Sequence, residues 1–204
     1  MFATPCHIYS VSKYIDLHKL SDKVLFVDIF CHGCPSLNLW KKYLEYSKKI
    51  FSIREIDKIN FRSKPYGWHE FNITFIAGDT SYHSPRKKDP FHEMFFKKNA
   101  LNEACYAYKL RSTIAYTDIR IGDFWGKEYS QNIEGVSAVV INTDKGKVLF
   151  ASVKDRFEIK NHSLSDVVPL QSYGKKHKLD VNMRRHTLDL LSSEISLEEI
   201  IKYC

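Results

Sequence analysis

The spacing of apolar and polar residues predicts most elements of this chain. Residues 10–20 pattern as a short helix, with Ser10 or Ser12 as its N-cap. The run 24–30, from Val24 to Phe30, is short, apolar and rich in β-formers, which predicts a buried strand. Ser36 suits an N-cap, and Leu37, Trp40, Tyr43, Leu44 and Ile50 fall mainly on one face of a helix over 37–50. Ile53, Ile56, Ile59 and Phe61 suggest a strand with an irregularity over 53–61. Phe71, Ile73 and Phe75 alternate with His69, Asn72 and Thr74, and Ala77-Gly78-Asp79-Thr80 is a turn, so 69–83 reads as a hairpin. Asp89-Pro90 opens a further helix, with Asp as cap and Pro at the first position. Ile119 and Ile121 mark a strand ending at Gly122, and Val136–Ile141 a second apolar strand. Thr143-Asp144 caps a helix over 145–153. Phe157-Glu158-Ile159 patterns as a short strand, and the chain is helical in pattern from Gly174 onward. Helices and strands alternate first and a hairpin follows. The expected class is α/β, mixed α+β: a single domain with a mixed sheet flanked by helices and a C-terminal helical segment.

Composition narrows the classes. The chain has 204 residues, 44% of them hydrophobic, enough for one core of ordinary size. No apolar run approaches the ~20 residues of a membrane helix, so no membrane partner is expected. The N-terminus lacks the charged-then-apolar pattern of a signal peptide, and the expected location is cytoplasmic. The five cysteines are then expected to stay reduced or to bind metal. The net charge of +7 is spread over pairs such as Lys41-Lys42 and Arg184-Arg185 and over the triplet Arg86-Lys87-Lys88. These read as solvated faces or as attraction for an anionic partner such as a phosphorylated cofactor. No nucleic-acid motif accompanies them, so no nucleic-acid partner is expected.

Four strings carry candidate chemistry. Cys31-His32-Gly33-Cys34-Pro35-Ser36 joins the strand to the helix, where backbone N–H groups and the helix dipole favour anions and thiolates. Its cysteine pair fits a thiol–disulfide centre, a share of a metal or iron–sulfur site, or two small residues packing a turn. Gly33 suits a positive φ or a close approach of ligand to backbone, and His32 can donate a hydrogen bond to a cofactor. Phe61-Arg62-Ser63-Lys64-Pro65-Tyr66-Gly67-Trp68 combines cations with aromatics, as a phosphate-bearing ring system requires, or else covers a core edge. Cys105 reads as a buried small residue. Asp118-Ile119-Arg120-Ile121-Gly122-Asp123-Phe124-Trp125-Gly126 ends a strand where ligand crevices form in α/β sheets, or makes a tight turn with a packed Phe-Trp pair.

Taken in order, these strings resemble one family. Phe2-Ala3-Thr4-Pro5-Cys6-His7 is similar to its F-x-G-T-P-C-Q segment, and Val27-Asp28 with Cys31-His32-Gly33 and Pro35-Ser36 to its V-D-x-x-C-H-G-x-P-S. Trp40 to Leu44 resembles the helix that follows. Asn60-Phe61-Arg62-Ser63-Lys64 with Gly67-Trp68 resembles N-F-R-x-K-x-x-G-W, Cys105-Tyr106 resembles part of S-C-Y-x-C, and Ser112 through Gly126 resembles its S-D-I-T-I-G-D-F-W-G. The family is the coenzyme F420 hydrogenase/dehydrogenase β-subunit family, in its C-terminal domain. The resemblance implies a domain over 1–160 with a helical extension over 161–204. It also implies flavin-linked, iron–sulfur-associated electron transfer with FAD and a 4Fe-4S cluster, to a redox partner protein or a small-molecule acceptor. Under it, Arg62 and Lys64 pair with phosphate, and Trp68 or Trp125 stacks on the ring. Backbone near Gly33, Gly122 and Asp123 approaches the cofactor, and His32 bonds to it. Cys6, Cys31 and Cys105 are the iron–sulfur candidates, with Cys34 an extra thiol. The chain starts at what resembles the family's middle, without a ferredoxin-type portion. Tyr108 stands where the family has a cysteine, and a tyrosine cannot supply the thiolate, which argues against a complete cluster. Two alternatives stand beside an electron-transfer subunit: a cofactor-free partner module of the same fold, and a thiol–disulfide protein using Cys31 and Cys34.

Overall fold

A computed structural model describes residues 1–107 and 109–203. Its helices are α1 (Pro5–Leu17), α2 (Leu37–Phe51), α3 (Pro90–Lys97), α4 (Asp144–Val153), α5 (Leu164–Val167), α6 (Val181–Ser192) and α7 (Leu197–Tyr203). Its strands are β1 (Val27–Ile29), β2 (Lys58–Ser63), β3 (Asn72–Ala77), β4 (Thr80–Pro85), β5 (Ile119–Asp123) and β6 (Ser137–Ile141). The class is mixed α+β, as the pattern of elements predicts. The described residues divide into two compact units, 1–32 with 109–176 and 33–107 with 177–203.

The first unit holds the mixed sheet, in the order β1-β5-β6. β1 runs parallel to β5, with Asp28 opposite Arg120, and β6 returns antiparallel to β5. The chain start adds to the sheet: Val27 N–H donates to Met1 O at 2.9 Å, and Ala3 N–H to Val27 O at 3.1 Å. α1 therefore begins at Pro5, not near residue 10. Thr4 takes the extended N-cap conformation (φ −71, ψ 156) and Pro5 the first helical position. Thr143 caps α4 through the Gly146 N–H, as its sequence position predicts. Phe124, Ala138 and Val167 form a small core, with Phe30, Tyr129 and Val136 packed on it.

The second unit is built on the antiparallel order β2-β3-β4. β3 is the central strand and has Asn72, Ile73, Thr74 and Phe75 all buried, so both of its faces are covered. The irregularity expected in β2 is a register shift between Asn60 and Ser63. α2 starts at Leu37, and the Ser36 hydroxyl accepts from Leu39 N–H at 3.2 Å. α3 starts at Pro90, and Asp89 accepts from His92 N–H at 2.8 Å. Leu39, Tyr43, Ile73, Phe75, Phe91, Met94, Leu191 and Ile200 centre its core.

Two further expectations fail. Residues 157–159 have no ladder partner among the described residues, and Phe157 and Ile159 stay exposed, so alternation alone does not make a strand there. The C-terminal helical region starts at Val181, not Gly174, because Asp180 supplies the cap, accepting from Met183 N–H at 2.9 Å.

Candidate functional site

In the first unit, the sheet ends beside a polar group built on a buried ion pair. Arg120 Nε donates to Asp28 Oδ1 at 2.7 Å and Nη2 to Oδ2 at 2.5 Å. The side chains are 3% and 2% exposed, so the bidentate pair is the polar centre of an otherwise apolar strand pair. Beyond it, Phe30 N–H donates to Ile121 O at 2.9 Å, which carries the pairing toward Gly122. A Cβ on Gly122 would stand 2.8 Å from Phe30 Cδ2, so this glycine makes room for the protein's own aromatic ring. Gln171, 8% exposed, donates from Nε2 to Asp123 O. His32 Nδ1 lies 3.0 Å from Ser172 Oγ, and buried Arg111 donates from Nη1 to His32 O at 3.2 Å. His32 is thus oriented by residues from the 109–176 segment. Gly122 and Asp123 lie at the sheet end, and Trp125 is half-buried beyond it.

The second unit carries the cations. The Arg62 guanidinium carbon lies 4.1 Å from the centre of the Phe71 ring, and that of Arg86 lies 5.4 Å from the same ring. Phe71 is 4% exposed, Arg62 is exposed, and Arg86 N–H donates to Phe71 O at 3.2 Å. Arg86 Nε and Asn72 Oδ1 are buried and make no hydrogen bond to the protein. The nearby Glu70 carboxylate is engaged by Lys87 Nζ, and that hydrogen bond holds its carboxyl below the usual carboxylate range. Lys64 is exposed one residue beyond β2. Trp68 is 1% exposed, and its ring lies 4.7 Å from that of His69.

The turn 33–36 in the same unit runs beside 100–105. Ser36 N–H donates to Ala100 O at 2.7 Å and Asn102 N–H to Cys34 O at 2.8 Å. Gly33 has φ +147, and a Cβ there would stand 2.9 Å from Leu101 Cδ1. Its freedom serves the close packing of these two turns. Cys34 N–H donates to Cys105 Sγ at 3.3 Å.

Cys6 is exposed at the start of α1, with Sγ 3.2 Å from Thr4 Oγ1, and Cys31 is half-buried after β1. Among the described residues, no group of three or more His, Cys, Asp or Glu side chains is placed to hold a metal ion. The described thiols therefore do not fit a four-thiolate cluster. Tyr108, where the resemblance implies a missing ligand, lies outside the described residues.

Sequence reasoning misses Arg86, Arg111, Gln171 and Ser172 as contributors. Arg86 stands out only as one of a basic triplet. For Asp28 and Arg120 the sequence does carry a signal: each is a charge flanked on both sides by aliphatic residues in its strand, the mark of a buried partner.

The profile of one family, described as the C terminus of the coenzyme F420 hydrogenase/dehydrogenase beta subunit, matches residues 1–167. Neither the curated proteins nor the solved structures gave a match to the chain.

Proposed function

The chain belongs to the family of C-terminal domains of coenzyme F420 hydrogenase/dehydrogenase β-subunits, and from that premise we propose a flavin-linked electron-transfer subunit that binds FAD by its phosphates. The observation carrying this reading is Arg86 Nε: a buried N–H with no protein acceptor, on a guanidinium that shares the Phe71 ring with Arg62. A buried donor left unpaired costs about 1–3 kcal/mol, and an anionic oxygen satisfies it. Two guanidiniums and the nearby Lys64 match a pyrophosphate in charge and in hydrogen-bond geometry.

When bound, flavin supplies hydride or single-electron transfer at its ring. The chain's own residues then act by position. Arg86 donates from its buried Nε, Arg62 presents its guanidinium from the Phe71 face, and Lys64 adds a positive charge at the edge. Lys87 bonds the Glu70 carboxylate, which also feels the Arg86 charge. The acceptor of those electrons would be a partner subunit or a small-molecule carrier, in keeping with a β-subunit.

The test is anaerobic purification, titration with FAD, and the visible spectrum. Stoichiometric bound flavin is expected. A chain that takes up no FAD from a solution containing it contradicts the proposal and favours a cofactor-free partner module of the same fold.

A further inference from the structure

We propose that Cys34 and Cys105 form a redox-active dithiol that closes to a disulfide by exchange with a low-molecular-weight disulfide. The cysteine spacing in the sequence directs attention to Cys31 with Cys34, yet the fold of the second unit supplies Cys34 with another neighbour. Two hydrogen bonds hold the two turns together around these thiols. Asn102 N–H bonds Cys34 O at 2.8 Å and Ser36 N–H bonds Ala100 O at 2.7 Å, which together make Pro35 and Leu101 an antiparallel bridge. Between them, Cys34 N–H points at Cys105 Sγ at 3.3 Å. One residue earlier, a Cβ built on Gly33 would stand 3.6 Å from Cys105 Cβ.

A disulfide needs Cα atoms roughly 4.4–6.8 Å apart and sulfurs that can turn toward each other. A backbone nitrogen in hydrogen-bond contact with the opposite sulfur brings the two residues to about that range. Cys34 Sγ now lies 3.6 Å from Pro35 O, and closure requires it to turn about its Cα–Cβ bond toward Cys105 Sγ. The two thiols differ in access: Cys34 is exposed and Cys105 half-buried. That difference sets an order of events. Cys34, as thiolate, attacks the disulfide RSSR, forming Cys34–S–S–R and releasing one RSH. Cys105, as thiolate, then attacks Cys34 Sγ, forming the Cys34–Cys105 bond and releasing the second RSH. Two protein thiols are oxidised, one RSSR is reduced to two RSH, and the couple stores two electrons. The closed bond ties turn 33–36 covalently to turn 100–105.

The test uses the purified full chain and glutathione disulfide. Remaining thiols are blocked with N-ethylmaleimide, and unreduced peptides are mapped by mass. The expected result is one linked pair of peptides, carrying Cys34 and Cys105 and two hydrogens lighter than their sum. In Cys34→Ser the link is lost and Cys105 is alkylated. In Cys105→Ser glutathione is retained on Cys34, because the resolving thiol is gone. A link between Cys31 and Cys34, glutathione retained on Cys34 of the unmodified chain, or full alkylation of both thiols after oxidant treatment would each overturn the proposal. None of these readouts depends on flavin.

Discussion

Replacing Arg120 with methionine isolates the ion pair that underlies the first unit. The substitution keeps much of the side chain's length and apolar stem but removes both guanidinium bonds to Asp28. Those bonds, at 2.7 and 2.5 Å, link side chains only 3% and 2% exposed. Asp28 then stays in a dry site between β1 and β5 with no counter-charge. Removing one partner of such a pair costs about 3–5 kcal/mol, a large fraction of the roughly 5–15 kcal/mol that holds a domain folded. The double variant Asp28→Leu/Arg120→Met removes both charges and the desolvation they impose. It should regain most of the loss, because two apolar side chains opposite each other suit this strand pair. Urea titration followed by circular dichroism measures both variants. Hydrogen exchange at Ile119 and Ile121 then locates the loss to the sheet. A single variant costing under about 1 kcal/mol, or a double variant no better than the single, would refute this argument.

Further perturbations test other parts of the fold. Asp89 accepts from Tyr43 Oη, from Ser84 Oγ at 2.6 Å and from His92 N–H at 2.8 Å. Burial pushes its carboxyl up, but hydrogen bonds from His92, Ser84 and Tyr43 outweigh burial and hold it below the usual range. Its contribution to stability is therefore present above the unfolded carboxylate pKa and is lost as pH falls through the lower folded value. Asp89→Ala should cost about 3 kcal/mol at neutral pH and flatten that acid limb, measured by urea midpoints across pH. Gly146→Ala sets helix propensity against sterics: alanine gains up to about 1 kcal/mol in a helix, but its Cβ would stand 2.5 Å from Asp118 backbone O. The clash should win, with a net loss in thermal midpoint; a raised midpoint would contradict it. Ser36→Ala should cost about 1 kcal/mol by removing the cap on Leu39 N–H, and Ser36→Thr should restore most of it, again by urea titration.

Local signals carried far in this chain where the chemistry is local. The caps Ser36, Asp89 and Thr143 were legible because each precedes an amphipathic or apolar run, and the Gly78 turn because it separates two alternating runs. The start of α1 was not legible in the apolar pattern, which places the helix over 10–20; Met1–Ala3 pairs with β1 and the helix follows at Pro5. Phe157-Glu158-Ile159 alternates, but strand formation is decided by a ladder partner, which no pattern within three residues records. The division into units was hidden because each is assembled from two distant stretches of chain. For the candidate site, the residue types singled out the strand end and the Arg62 loop. Burial adds what residue types do not record. Trp68 sits in the interior, Gly122 accommodates Phe30, and Arg86 enters only because the Asn72–Pro85 register sets it beside Phe71.

Parallel anaerobic titrations of the chain with FAD and with riboflavin test the central claim most directly. Riboflavin carries the ring and ribityl chain but no phosphate, so its binding owes nothing to phosphate contacts. The account predicts bound FAD, a loss of FAD affinity of at least tenfold in Arg86→Ala, about 1.4 kcal/mol or more, and no change in the weaker binding of riboflavin. Equal weakening of both ligands, or FAD affinity unchanged by Arg86→Ala, would contradict it.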